Sequence, residues 1–328
     1  MTNGNFEIGI ILIAFNRPNH LNRLLNSLKV NECFVDFPVI LALDGPRKAE
    51  DLTLQEKMLR EQADTIEQHP AFKVSRRETN IGSKRHIIET VSRQLTLFDA
   101  VIVLEDDLEV GTHFLSYMRA ALTKYRDCKE VYHISGFSHV IGNKVNQSFF
   151  IGYMNCWGWG TWRDRWEKFN DRSADYIHSF SREDRRIFNC NGSHDFFRQI
   201  VENHHGILDT WAIFWYATIF YHGGLCLTPG QSLVNNIGRD GSGERFGRRL
   251  GPANVDIEIT AFPEALVVDA IEEIRLSEWF ENQKTLMAET LKRVVYLLPY
   301  TKQKAVIRRL LQIRELSNYL RVSGPRDV

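Results

Sequence analysis

Three consecutive acidic residues, Glu105, Asp106 and Asp107, follow the apolar segment 100–104. A short apolar run rich in β-branched residues predicts a buried strand, and ligands of open parallel sheets bind where such strands end. Adjacent carboxylates repel one another, and a bound cation relieves that repulsion. Because carboxylate, phosphate and water oxygens are the usual ligands of Mg²⁺ and Mn²⁺, the segment predicts a metal–diphosphate site. A solvated acidic turn that caps the following helix is the alternative interpretation.

Polar residues also follow the first two predicted strands. The first apolar run ends at Phe15 and is followed by Asn16 and Arg17, and the second is followed by Asp44. If these strands end at the same edge, Arg17 could hold a base or a phosphate and Phe15 could flank a ring. Asp44 could then lie near a ribose or the edge of a base. Ordinary loop polarity and an Asp-Gly turn are the alternatives.

A further polar group, Lys84, Arg85 and His86, lies at the predicted start of a helix, after Asn-Ile-Gly at 80–82. Free backbone N–H groups and two basic side chains at a helix start favour an anion, and His86 would project from the first turn. A capped, solvated helix start is the alternative. The P-loop pattern GxxxxGK[ST] is absent from the sequence, which disfavours ATP hydrolysis of that type.

The elements that must position these residues alternate between strands and helices. Apolar runs predict strands at 8–15, 37–43, 72–75 and 100–104, and periodic spacing predicts helices from Pro18, over 52–68 and over 83–95. This alternation predicts an α/β fold with a mostly parallel sheet covered by helices. In the second half, strands are expected at 131–135, 149–153, 225–227 and 232–234, and helices at 160–169, 194–204, 210–221 and from about 263 onwards.

Composition excludes several classes of protein. Among the 328 residues, Lys and Arg number 41 and Asp and Glu number 41, so the zero net charge argues against a nucleic-acid partner. Five cysteines without a CxxC pair indicate reduced thiols rather than a disulfide framework or structural zinc. No signal peptide is recognisable, and the longest apolar runs are about half of a membrane span. We therefore expect a soluble, cytoplasmic protein.

The segment 101–110, VIVLEDDLEV, resembles a variant of the DxD motif of nucleotide-sugar glycosyltransferases with the GT-A fold. The resemblance covers about residues 6–245. It includes the N-acetylglucosaminyltransferase that starts complex N-glycan branching and family-2-like bacterial enzymes of surface polysaccharide synthesis. It implies that Asp107 binds Mn²⁺ or Mg²⁺ and that Glu105 and Asp106 contact the donor sugar and ribose. The other donor-binding residues that it implies are Phe15, Asn16, Arg17, Asp44, Lys84 and, with altered spacing, His86.

The sequence Cys-Trp-Gly-Trp-Gly-Thr-Trp at 156–162 is the candidate acceptor site. Glycines between tryptophans let the backbone approach a flat ligand, and indole faces suit the C–H surfaces of sugars. A similar segment occurs at this place in the bacterial relatives, which implies acceptor contacts for Trp157, Trp159 and Trp162. A packed aromatic core turn is the alternative.

Residues 208–211, Leu-Asp-Thr-Trp, resemble the family's Asp-x-Trp element, whose Asp is the catalytic base. A carboxylate at Asp209 could take the proton of an acceptor hydroxyl as that oxygen attacks the anomeric carbon, with inversion. Trp211 would contact the acceptor. Asp209 could also, or instead, cap the helix that follows.

Two basic segments complete the pattern. The glycine-rich residues 236–243 resemble a family loop that orders over the donor, which makes Arg239 and Arg245 candidates for the diphosphate. Relatives often carry a His where this sequence has Glu244 and Arg245, and a disordered surface loop is the alternative.

Between residues 284 and 328, the chain has ten Lys and Arg but only three Asp and Glu. These helices could contact anionic lipid peripherally, or could be solvated or packed on the catalytic domain.

We therefore interpret the chain as a metal-dependent inverting glycosyltransferase. A GT-A Rossmann-like catalytic domain would span 1–260, with 1–110 binding a UDP-sugar such as UDP-GlcNAc and 111–260 binding the acceptor. A helical C-terminal extension would span 261–328. The expected acceptor is a saccharide or glycolipid of a bacterial surface glycan such as lipopolysaccharide. Two alternatives stay open, a non-catalytic glycan-binding or scaffold protein on a degenerate transferase fold and a sugar nucleotidyltransferase. The latter would need a glycine-rich basic loop directly after the first strand.

Overall fold

The computed structural model describes residues 6–139, 144–238 and 255–283, and within them it contains ten strands and eleven α-helices. The strands are β1 (Ile8–Ala14), β2 (Val39–Leu43), β3 (Phe72–Arg76), β4 (Ala100–Glu105), β5 (Leu108–Val110), β6 (Val131–Ser135), β7 (Ser148–Ile151), β8 (Trp159–Trp162), β9 (Leu225–Pro229) and β10 (Val234–Asn236). The helices are α1 (Pro18–Lys29), α2 (Ala49–Glu61), α3 (Ala63–Gln68), α4 (Ser83–Gln94), α5 (Phe114–Lys124), α6 (Arg163–Trp166), α7 (Ser173–Ser179), α8 (Arg182–Phe188), α9 (Phe197–His204), α10 (Ala212–Tyr221) and α11 (Ala270–Gln283).

Eight of the strands in the described residues form one sheet in the order β3-β2-β1-β4-β8-β6-β9-β7. Neighbours among β1 to β4 are parallel, as are β6 and β9. In contrast, β8 is antiparallel to β4 and β6, and β7 is antiparallel to β9. Six of these eight strands therefore point the same way, which confirms the prediction of a mostly parallel α/β sheet covered by helices. Strands β5 and β10 pair separately as an antiparallel ribbon.

The first half of the chain follows its hydrophobic pattern. All seven residues of β1 are buried, as expected for a strand covered on both faces. On one face of the sheet, α1 contributes four leucines to the core: Leu21, Leu24, Leu25 and Leu28. On the other face, α4 contributes Ile87 and Val91. The predicted helix over 52–68 is interrupted between α2 and α3.

The predicted helix over 160–169 is wrong in its first residues, which belong to β8. Trp159 packs in the core on one face of the sheet and Trp162 in the core on the other, as the alternation of a strand requires. Gly160 lets α5 pack closely against β8, because a Cβ atom added at this residue would lie only 3.0 Å from Met118 Cε. The helix begins only at Arg163.

The C-terminal part of the described chain packs against the same core. Asp256 Oδ1 accepts a 2.9 Å hydrogen bond from the backbone N–H of Thr112, and the ring of Phe262 stacks on Tyr117. Leu276 and Phe280 of α11 are buried. The predicted helices beyond residue 283 lie outside the described residues. In the part of the chain that the structure describes, no helix has the length and apolar character needed to cross a membrane.

Candidate functional site at the carboxyl edge of the sheet

An ion-pair cluster joins the ends of β1 and β4. The same guanidinium nitrogen of Arg17, Nη2, donates to Asp106 Oδ1 and lies 3.4 Å from Asp107 Oδ2. The backbone N–H of Phe15 approaches the other oxygen of Asp106 at 3.4 Å. The Asp106 side chain is 4% exposed and the Asp107 side chain is 21% exposed. The structure therefore brings Phe15, Arg17, Asp106 and Asp107 together, with Asp107 as the accessible carboxylate.

Burial and charge have different net effects on the pKa of the buried Asp106 and on that of the partly buried Arg17. Burial outweighs the attraction of Arg17 and raises the pKa of Asp106 to about 6. Burial also disfavours the charged form of Arg17, but the charges of Asp106 and Asp107 outweigh it and raise the pKa of this guanidinium. Arg17 is therefore a permanent positive charge, held between two carboxylates.

The glycine-rich segment begins directly against Asp107. The backbone N–H of Ile237 donates to the Asp107 carbonyl oxygen at 2.8 Å. At Gly238 a Cβ atom would lie 2.3 Å from Asp107 Oδ2, so glycine is required for this approach. Arg239 and Arg245 lie outside the described residues, and their contact with a diphosphate stays a prediction.

Phe15 carries a cation on its ring. The guanidinium carbon of Arg47, an exposed residue after β2, lies 4.5 Å from the centroid of the Phe15 ring. Sequence reasoning missed Arg47, because nothing in the local pattern links it to the loop after β1. Asn16 turns instead towards α2, where its amide donates to Asp51 Oδ1 at 2.7 Å.

Asp44 and His86 are buried and engaged within the protein. Both carboxylate oxygens of Asp44 accept hydrogen bonds, from the backbone N–H groups of Gly45, Ile81 and Gly82 and from the Asn80 amide. His86 is 2% exposed, and burial lowers its pKa. Its Nδ1 accepts from Arg77 Nε, and its Nε2 faces the Ala42 carbonyl at 3.2 Å. In this structure both residues position the start of α4 rather than offer free groups to a ligand.

Lys84 and Asp209, which are distant in sequence, lie close together at the start of α4. Lys84 Nζ lies 3.9 Å from Asp209 Oδ1, 3.6 Å from Asp171 Oδ2 and 4.4 Å above the ring of Phe214. The Asp209 side chain is 78% exposed. Asp209 does not cap α10, whose N-cap is Trp211. The structure therefore leaves the Asp209 carboxylate open to solvent beside a positive charge.

Most of the tryptophans are core residues. Five of the seven are at most 4% exposed: Trp159, Trp162, Trp166, Trp211 and Trp215. Trp159 stacks on Trp211 with a centroid distance of 5.1 Å, and Trp162 Nε1 donates to the Leu122 carbonyl. This differs from the predicted acceptor surface, because the rings of Trp159, Trp162 and Trp211 are covered by the protein.

The two partly exposed tryptophans, Trp157 and Trp279, meet at His139. The His139 ring centroid lies 6.3 Å from that of Trp157 and 4.3 Å from that of Trp279 on α11. The Asn155 amide approaches His139 Nε2 at 2.8 Å. Sequence reasoning assigned Trp157 to the acceptor but missed His139 and Trp279. No signal in the sequence could have found them, because only the packing shows which indoles are exposed.

The residues present fit a divalent cation that is shared with a ligand. Among residues 6–139, 144–238 and 255–283, no group of three or more His, Cys, Asp or Glu side chains could hold a metal by itself. Mg²⁺ and related ions are commonly held by one or two carboxylates together with substrate phosphates. Asp107 provides one accessible carboxylate of this kind, whereas Asp106 is buried against Arg17. Glu105 is the last residue of β4 and is partly buried. Its contact with the donor sugar stays a prediction.

Comparisons with known proteins give similarities of fold. No known protein-family model and no curated protein matches the sequence. Among solved structures, the chain is similar to S. aureus TarS 1–349, with 16% identity, a TM-score of 0.35 and coverage of 48% of this chain and 47% of that one. It is similar to GalNAc-T7 with UDP, GalNAc and Mn²⁺, with 13% identity, a TM-score of 0.46 and coverage of 71% and 44%.

The chain is also similar to the mannosyltransferase PcManGT from Pyrobaculum calidifontis in complex with GDP-Man and Mn²⁺. Here the identity is 12%, the TM-score 0.40 and the coverage 66% of this chain and 70% of that one. The chain thus spans about half the length of the first two structures. At these identities and TM-scores, the similarities assign no activity to this chain.

Proposed function

We propose that the protein is a metal-dependent glycosyltransferase that transfers a sugar from a nucleoside diphosphate donor to a saccharide acceptor. The observation that carries this proposal is that the strands of the sheet are followed by three groups with the chemistry of nucleotide-sugar transfer. These groups are the Arg17–Asp106–Asp107 cluster, the glycine-rich segment that starts against Asp107, and the Lys84–Asp209 pair. Together they offer positive charge for a diphosphate, an accessible carboxylate for a cation, and a solvent-accessible base.

The donor would lie across the ends of β1 and β4. Arg17 would bind the diphosphate, because a guanidinium matches paired phosphate oxygens. The Phe15 ring and the Arg47 guanidinium form a stacked pair that suits a nucleobase. A divalent cation at Asp107 would supply positive charge to the departing diphosphate. The choice of a UDP-sugar, with UDP-GlcNAc first, follows from the sequence resemblance alone.

Asp209 would act as the general base. Its carboxylate would accept the proton of an acceptor hydroxyl while that oxygen bonds to the anomeric carbon and the bond to the diphosphate breaks. Attack from the side opposite the leaving group inverts the anomeric centre. Lys84, 3.9 Å away, would hold the carboxylate in place, and the high exposure of Asp209 leaves room for the incoming hydroxyl.

The acceptor would contact the partly exposed rings of Trp157 and Trp279 around His139. Indole faces pack against the C–H surfaces of pyranose rings. This assignment replaces the contacts expected of Trp159, Trp162 and Trp211. It also gives α11, in the C-terminal extension, a part in acceptor binding. A bacterial surface saccharide or glycolipid as acceptor stays a proposal from the resemblance.

The test is release of the nucleoside diphosphate from a panel of UDP- and GDP-sugars, with Mn²⁺ and a pool of simple glycosides. We expect Asp209→Asn to lower kcat by about 100-fold or more while donor affinity is kept, as for the loss of a general base. Asp171→Asn is the matched control, because Asp171 also lies near Lys84 but is not the proposed base. We expect this control to retain activity.

The second variant, Asp107→Asn, is expected to lose binding of UDP with Mn²⁺ in calorimetry. Unchanged binding would show that Asp107 does not hold the metal. Equal activity of Asp209→Asn and wild type would show that another group is the base. If the wild type binds nucleotide but turns over no donor with any acceptor, the glycan-binding or scaffold alternative is favoured.

A further inference from the structure

We propose that Arg17 is an internal counter-ion that opposes binding of a divalent cation at Asp107 until a nucleoside diphosphate is present. Metal and nucleotide would then bind as a pair rather than independently. The inference rests on the proposed function, and it concerns the order and coupling of binding rather than the reaction itself.

The first observation is that one guanidinium nitrogen serves two carboxylates. Arg17 Nη2 donates to Asp106 and lies 3.4 Å from Asp107 Oδ2, and the Arg17 side chain is only 20% exposed. A cation bound to Asp107 would therefore lie beside an existing positive charge in a partly desolvated site. The cation and the Arg17 guanidinium would then repel each other strongly, because little water lies between them to screen their charges. Arg17 also satisfies part of the charge of Asp107, which lowers its attraction for a metal ion.

The second observation is an unused donor on the same side chain. Within the part of the chain that the structure describes, the other terminal nitrogen of Arg17, Nη1, is buried and has no hydrogen-bond partner. A buried donor without an acceptor costs free energy, and a turn of the guanidinium that brings Nη1 to a bound phosphate oxygen would remove that cost. A phosphate oxygen is the acceptor that best suits a guanidinium, because the hydrogen bond is charge-assisted.

These two observations explain why a diphosphate would change the metal affinity. Arg17 is anchored at Asp106, whose other oxygen is approached by the Phe15 backbone N–H. The guanidinium can keep this anchor while it turns from Asp107 towards a phosphate oxygen. The phosphates bring negative charge that screens Arg17 from the cation, and they add oxygen ligands beside Asp107. Each ligand thus favours the other, and by linkage the coupling is the same in both directions.

The test measures Mn²⁺ binding directly, from the electron paramagnetic resonance signal of the free ion, with and without UDP, and with GDP as a second probe. In the wild type we expect weak binding of Mn²⁺ alone and an affinity about 100-fold higher with UDP, near the upper end of typical coupling. In Arg17→Met we expect Mn²⁺ alone to bind about tenfold more tightly and the coupling to UDP to fall below about tenfold.

Arg23→Met is the matched control. Arg23 lies on the next turns of α1 and forms a two-point ion pair with Glu109, in the same acidic segment, with an Nε–Oε1 distance of 2.7 Å. The substitution changes the net charge by the same amount but leaves Asp106 and Asp107 untouched. We expect Mn²⁺ affinity and coupling in this variant to equal those of the wild type.

Arg17→Met leaves Asp106 buried without its partner, so the double variant Arg17→Met/Asp106→Asn removes the pair as a unit and protects the fold. There the rise in affinity for Mn²⁺ alone is expected to be smaller, because the negative charge of Asp106 is removed together with Arg17, but the coupling to UDP should still fall below about tenfold. A folded Arg17→Met variant that binds Mn²⁺ alone no better than the wild type overturns the inference, as does a double variant that keeps the wild-type coupling between Mn²⁺ and UDP. So does a wild type that binds Mn²⁺ equally well with and without UDP. If the wild type does not bind UDP with Mn²⁺ at all, the proposed function itself fails.

Discussion

Substitution of Gly238 by Ala tests whether the contact between the glycine-rich segment and Asp107 belongs to the binding site. An added Cβ would lie 2.3 Å from Asp107 Oδ2 and 2.8 Å from Asp107 Cβ, well inside the 3.4–4 Å of ordinary van der Waals contacts. The backbone on either side is tied down, since the Gly238 N–H donates to Asn236 Oδ1 and the Ile237 N–H donates to the Asp107 carbonyl. The Asp107 side chain must therefore move.

Displacement of the Asp107 side chain should weaken binding of the cation and the nucleotide. In the free protein the Asp107 carboxylate can rotate towards solvent, but a bound cation requires its return. Overpacking by a methyl group costs about 1–3 kcal/mol. At 1.4 kcal/mol per tenfold change, the affinity for UDP with Mn²⁺ should fall by about 5- to 150-fold. The melting temperature should fall as well, because Asp107 Cβ would lie 2.8 Å from the added methyl group and does not move when the carboxylate rotates.

Calorimetric titration of UDP in the presence of Mn²⁺ measures this effect. Gly152→Ala is the control, since its Cβ would meet only the end of the Glu273 side chain, at 3.2 Å. We expect wild-type affinity for the control. Wild-type affinity in Gly238→Ala as well would refute the assignment of Asp107 to the metal–diphosphate site.

Three further outcomes are expected. Trp159→Ala should lower the free energy of unfolding in urea by about 3–5 kcal/mol, as for a buried aromatic residue. Trp157→Ala should instead raise the KM for the acceptor and have a small effect on stability. An equal loss of stability in both variants would contradict the assignment of Trp157 to a binding surface. Asp44→Ala should lower the free energy of unfolding by about 2–4 kcal/mol, because the donors at the start of α4 lose their acceptor, and an unchanged urea midpoint would count against this role. Burial lowers the pKa of His133 from 6.5 to about 3, so on acidification the unfolded chain binds a proton before the folded protein does. The free energy of unfolding should therefore decrease as the pH is lowered from about 6.5. His133→Gln should flatten this pH dependence, and an equally steep profile in the variant would exclude His133 as its origin.

The parts of the fold that the sequence predicts are those set by local periodicity. The strand at 100–104 and the helices from Pro18 and over 83–95 are confirmed, because each buries a face that is evident in its own residues. Convergence of the residues after β1, β2 and β4 follows from the rule that parallel strands end at one edge. These elements required no knowledge of distant contacts.

The remaining features depend on pairing and packing between distant segments. The sequence at 159–162 carries too few residues to distinguish a strand from the start of a helix, and its place in the sheet is fixed by β4 and β6. The polar residues Asp44 and His86 have the chemistry of ligands, but their hydrogen bonds are satisfied inside the fold. Arg47 and Trp279 reach the site only through tertiary packing. Sequence spacing alone gives no sign of either contact.

The position of β8 has a consequence for synthesis of the chain. Strands β1 to β4 are complete by residue 105, but the neighbour that covers β4 is β8, which ends at Trp162. A nascent chain of intermediate length therefore presents the apolar segment Ala100–Glu105 as an unpaired edge strand. Such edges template contact with other chains. Truncations that stop between residues 105 and 162 should aggregate, whereas chains that include β8 close this edge.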